Sequence, residues 1–194
     1  MPSDIDPQSG FRLPLPNREG LDEIGKAAYD RGTRPGATMM GLQGPAGVQL
    51  YTKAAPHLVA LNQYLRFKSG ISPRIREIAI LTAAREMDSQ FEWAAHEPEA
   101  LSVGVPANIV ETIKHRRSTA GLDEADATVI ELGRQIYQTH KVTSDLFAKA
   151  KALFGATMLI DIVLLMGNYA STAAMLATVD MQLHKGSEPL LPML

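Results

Sequence analysis

The sequence predicts an all-α fold, a single-domain bundle of about seven to eight helices, and three observations carry that expectation. Apolar residues recur at three- and four-residue intervals along most of the chain, strand-like alternation is absent, and helix start and stop signals punctuate the pattern. With 194 residues, 45% of them hydrophobic and 21% charged, the chain can bury a core without disulfides or metals. We expect an extended arm over residues 1–18, one helical domain over 19–185 and a tail over 186–194.

The elements follow in order. Leu21, Ile24, Ala27 and Ala28 predict a short helix that stops before Gly32. Residues 34–47 hold four glycines and two prolines and predict a loop. With Met39, Met40 and Leu42, that loop reads as an apolar lid over a pocket or as a connector whose side chains tuck inward. Pro56 suits a first turn, and Leu58, Leu61 and Leu65 carry its helix toward Gly70. Ser72 and Pro73 open the next helix, whose buried stripe is Ile75, Ile78, Ala79, Leu81 and Thr82. A break at Met87-Asp88-Ser89 follows. Ser89 and Glu92 have capping-box spacing, so a new helix starts there and ends at Gly104. Residues 105–117 form a further short helix whose last residues, Lys114 to Arg117, complement its dipole. Asp123 caps a helix through Tyr137, and Thr143 or Ser144 caps another that Gly155 closes.

Residues 153–179 are apolar and long enough to span a bilayer. Asp161 and Asn168 interrupt them, and a central Asp costs about 2.5–3.5 kcal/mol on insertion. We therefore expect a buried helix of a soluble protein or oligomer and no membrane association. The net charge of −2, with both signs mixed along the chain, gives no nucleic-acid surface. There is no cysteine, which excludes disulfides, thiol catalysis and thiolate metal sites. No basic stretch followed by an apolar run stands at the N-terminus, so a cytoplasmic location is expected.

Residues 74–104 place ionisable side chains inside an apolar helical pattern. Glu92 and His96 are four apart and share one helix face. A carboxylate there can hold one imidazole tautomer and raise the basicity of the other nitrogen, giving a proton donor–acceptor for neutral pH. The same spacing suits a solvated surface pair. Glu77 and Ser89 join the cluster if the two helices fold back beside each other, although a helix N-terminus and a cap account for them as well. Trp93 reads as core or as a binding platform, and Arg85 as a carboxylate ligand or a solvent-facing cation. Tyr169 and Asn168, if buried, need hydrogen-bond partners and could face the same pocket. No metal is expected, because two ligands are too few and His57, His115, His140 and His184 are scattered.

Glu77, the Ile-Leu-Thr-Ala-Ala run after it, Ser89-x-x-Glu92-Trp93-x-x-His96 and Glu99-Ala100-Leu101-x-x-Gly104-Val105 together resemble the carboxymuconolactone decarboxylase family. The resemblance is closest over residues 55–117. In that family's alkylhydroperoxidase D branch the motif is Glu, then Cys-x-x-Cys-x-x-x-His. Its Glu falls on Glu77, its two Cys on Ser89 and Glu92, and its His on His96. Both redox cysteines are thus missing, and the thiol–disulfide cycle of that branch cannot run.

What the resemblance leaves is acid–base chemistry. It implies a cofactor-free lyase that decarboxylates a small carboxylated lactone or aromatic ring-cleavage product. His96 would be the proton donor oriented by Glu92, with Glu77 as an acid–base partner. Ser89, Trp93, Arg85 and Tyr169 are the candidates for binding the small-molecule substrate. A proton-transfer isomerase, a lactone hydrolase or a non-catalytic oligomeric relative would use the same residues. The resemblance also implies a homo-oligomer, a trimer or hexamer, with the helix over residues 156–183 in the core or at a subunit interface.

Overall fold

The computed structural model describes residues 2–35 and 41–192. Among these residues there are eight α-helices and no strand. Met39 and Met40, central to the expected lid, lie outside the described residues. The chain divides into two compact units, residues 1–60 with 174–188 and residues 61–173 with 189–194.

In the first unit, α1 (Glu23–Thr33) is capped by the Asp22 carboxylate, which accepts from Gly25 N, and α2 (Pro45–Gln49) starts on a first-turn proline. The helix expected to stop before Gly32 runs through it. A Cβ on Gly32 would lie 2.4 Å from Leu42 Cδ2, so this glycine permits close packing rather than ending the helix. Phe11 is fully buried, and Arg12 N donates to Val179 O at 2.8 Å.

The second unit is built around α4 (Pro73–Glu86). Ser72 caps it through Ile75 N, as the sequence predicts. The expected stripe is exceeded: every residue from Arg76 to Arg85 is buried, because α5 (Gln90–Ser102), α6 (Ala107–Lys114) and α7 (Glu124–Arg134) all pack on α4. A helix covered on every side needs apolar or paired residues around its whole circumference. Gly133 of α7 lets α4 approach closely, since a Cβ there would fall 2.4 Å from Thr82 Cγ2. Ser89 caps α5 and Asp123 caps α7; Gly104 (φ +86°) and Gly155 (φ +74°) take the left-handed backbone that ends their helices. After α7 the chain makes a π turn over Gln135–Thr139.

The last helix, α8 (Ser144–Thr178), contains the Gly155 break and is the described helix long and apolar enough to cross a membrane. One stripe, with Leu159, Ile162, Leu165, Met166 and Tyr169, is buried. A second stripe is not: Leu153, Ile160 and Leu164 are exposed. Within one chain the helix is thus buried along one stripe only. Tyr64 of α3 (Ala55–Phe67) donates to Asp161 at 3.0 Å, which satisfies the charge in the apolar run. Beyond α8, the Gln90 side chain pairs with both backbone groups of Leu191, at 2.7 and 3.0 Å.

Candidate active site

Glu77 sits in the second turn of α4 and His96 in the second turn of α5, and the packing of these helices brings them together. Glu77 Oε2 lies 2.8 Å from His96 Nδ1. The other oxygen of Glu77 accepts from Arg76 Nε at 2.8 Å, and Arg76 also donates to Arg66 O and to Glu99 Oε1. Arg66 Nη2 donates to both oxygens of Glu99 at 2.9 and 3.0 Å. Glu92 Oε2 stands 3.8 Å from His96 Nε2, beyond hydrogen-bond distance, and its Oε1 is buried without a partner. The Tyr169 ring meets the imidazole edge-on with centroids 5.0 Å apart. Glu77, Glu92, His96 and Tyr169 are all buried.

Two carboxyl groups therefore face opposite edges of one imidazole, and their surroundings drive them apart. Burial raises the Glu77 carboxyl, but the hydrogen bonds and charges of His96 and Arg76 outweigh it, and Glu77 ends below its ordinary value. Glu92 has no such hydrogen bonds. Burial pushes it above its ordinary value, and the charges of His96 and Arg66 only partly oppose that. Ionised Glu77 accepts from Nδ1–H, which turns Nε2 toward the Glu92 carboxyl. The arrangement sets a carboxyl raised by burial, an imidazole and a carboxylate held ionised in series.

Glu77, His96 and Glu99 also bring one ligand atom each to within 4.8 Å of one another, as a metal site would. The donor set fits a cation poorly. Both carboxylates are already engaged by guanidinium groups, and a divalent ion would sit beside Arg66 and Arg76.

The sequence pattern of the Carboxymuconolactone decarboxylase family matches residues 53–132. This stretch spans α3 to α7 and holds every charged residue of the cluster. No curated protein and no solved structure matches the chain.

The residues singled out from sequence fall into two groups. Glu77, Glu92 and His96 converge, and Tyr169, from outside the matched stretch, joins them. The i,i+4 spacing suggested Glu92 as the orienting carboxylate, yet the closer contact to the ring is from Glu77. The others make their contacts elsewhere. Ser89 Oγ accepts from Glu92 N and serves as the α5 cap. Trp93 is fully buried in the core, and its Nε1 donates to Glu97 at 2.7 Å, with Lys114 over the ring. Arg85, two turns along α4 from Glu77, donates to Pro192 O and pairs with Asp88. Arg66 and Arg76 went unnoticed in the sequence, and Glu99 was read only as part of the family pattern. Glu99 was findable, being one turn beyond His96; nothing in the spacing points to Arg66.

Proposed function

We propose that the protein is a member of the carboxymuconolactone decarboxylase family and a cofactor-free lyase that removes CO2 from a small carboxylated lactone or related ring-cleavage product. The supporting observation is the buried series Glu92, His96, Glu77, in which one imidazole lies between an acid favoured in its neutral form and a carboxylate held ionised. In a substrate whose carboxylate is β or vinylogous to a carbonyl, the C–C bond breaks toward that carbonyl. CO2 leaves, and the electron pair becomes an enolate or dienolate. The substrate is its own electron sink, so the protein has only to exclude water, stabilise the oxyanion and return a proton to carbon.

Glu92 passes its proton to His96 Nε2, and ionised Glu77 stabilises the imidazolium through Nδ1. His96 then delivers the proton from Nε2 to the substrate carbon, and solvent reprotonates Glu92. Glu77 orients the ring, while His96 and Glu92 carry the proton.

The test is turnover of carboxylated lactones with CO2 release as the readout. His96→Ala is expected to lower kcat/KM by about 10²–10⁴-fold. A loss of less than about threefold rejects the assignment, and turnover with conserved mass replaces the lyase with an isomerase or hydrolase. One observation favours a non-catalytic reading: Arg66, Arg76, Glu77 and Glu99 satisfy one another as a structural ion-pair network would. Under that reading no carboxylated lactone is turned over, whereas His96→Ala still destabilises the fold.

A further inference from the structure

Resting on the reading of His96 as the proton carrier, we propose that Arg76 is a positioning residue of this site. It decides which edge of residue 77 faces the imidazole, and so which ring nitrogen keeps its proton. Each nitrogen of the Arg76 guanidinium is given to a different element. Nε donates to Glu77 Oε1 at 2.8 Å, Nη1 to Arg66 O at 3.1 Å and Nη2 to Glu99 Oε1 at 3.3 Å. These acceptors belong to α4, α3 and α5. Arg66 O lies in the last turn of α3, where carbonyls lack partners within the helix, so Arg76 also completes that helix end.

Helix geometry alone would not make the contact to Glu77, because adjacent residues on a helix do not face each other. The anchors on α3 and α5 keep the guanidinium there, and the Phe67 ring lies 5.5 Å from it. Two carboxylates turn an oxygen toward His96 Nδ1: Glu77 Oε2 at 2.8 Å and Glu99 Oε2 at 3.8 Å. In both, the other oxygen is bonded to Arg76. One planar fork thus sets the rotation of both groups about the nitrogen they face, and a point-charge ammonium has no such fork. Arg66 holds Glu99 by both oxygens, which leaves Glu77 to take Nδ1–H. An ion-pair network serving only the fold needs these charges near one another, but not this assignment of oxygens.

Glu77→Gln separates the two roles, since an amide has one accepting and one donating edge. With Arg76 in place, the amide oxygen must take the position of Oε1. Its NH2 then points at Nδ1 and drives the ring proton to Nε2. Nitrogen-15 spectra of the neutral His96 ring in the full chain, assigned through its contact with the Tyr169 ring, read the tautomer. Wild type is expected to carry the proton on Nδ1 and Glu77→Gln on Nε2. Combining Glu77→Gln with Arg76→Met frees the amide to turn, and both tautomers should appear. A Glu77→Gln ring still protonated on Nδ1 overturns the proposal, as does a pure Nε2 tautomer in the double variant. Arg76→Lys, checked for folding by circular dichroism, gives a second measurement with α-carboxy-γ-butyrolactone, whose carboxylate is β to the ring carbonyl. Its kcat should fall about 10–100-fold with KM within about threefold of wild type, and an unchanged kcat overturns the proposal. If wild type releases no CO2 from carboxylated lactones and the tautomer still inverts, the lyase reading fails and the role of Arg76 stands.

Discussion

At His96 the two ring nitrogens meet carboxyl groups that burial and charge drive in opposite directions, and each leaves its own mark on stability. Glu92, raised above 4.5, holds an extra proton when folded. Its contribution is present at low pH and is lost as pH rises from there through its folded value. Glu77, lowered from 4.5, contributes in the opposite window: present above that value and lost as pH falls through its folded value. Glu92→Gln, which mimics the neutral acid, is therefore expected to unfold at a higher temperature than wild type at about pH 8 and to flatten the alkaline decline. Glu77→Gln should cost about 3 kcal/mol at neutral pH, because Arg76 loses its nearest buried counter-charge. Thermal unfolding across pH reads both, and equal shifts at every pH for Glu92→Gln would refute the neutral-acid assignment. Periodicity found His96 and Glu92 because it compares neighbours on one helix. It did not foresee that Glu77 makes the closer contact to the ring, because Glu77 reaches it from a different helix.

Among the elements, α4 shows how far local signals reach. Caps at Ser72, Ser89 and Asp123 and stops at Gly104 and Gly155 were legible because each is a backbone requirement met by one residue type. The burial of α4 on all sides was not, since it depends on which helices arrive around it. Gly133 marks the tightest of those approaches. Thr82 is fixed there by its own bond to Ile78 O at 2.7 Å and has no freedom to turn aside. Gly133→Ala, which on propensity alone would strengthen α7, is expected instead to destabilise by about 1–3 kcal/mol. Chemical denaturation measures the sign, and a stabilised variant would show that α4 and α7 can move apart freely.

For the molecule as a whole, the exposed stripe of Leu153, Ile160 and Leu164 is the feature the single chain leaves unexplained. Our proposal is that copies of the chain associate through it as a trimer or hexamer. Sedimentation at micromolar concentration should then give a mass well above 21.0 kDa, and Ile160→Asp should lower it. A 21.0 kDa species for wild type rules out the interface. The sequence signalled the length and apolarity of this helix but not its division into a buried and an exposed stripe. Leu and Ile read alike whether they meet their own chain or another.

The burial of Trp93 has a practical consequence. It is the chain's one tryptophan, fully enclosed and one helical turn from His96. Red-edge excitation, which tyrosine does not absorb, therefore gives emission from a single known position. Its Glu97 and Lys114 contacts should fix the emission maximum while the domain is intact. The protein thus carries a built-in fluorophore that can time refolding, and can follow ligand arrival beside His96, without any label.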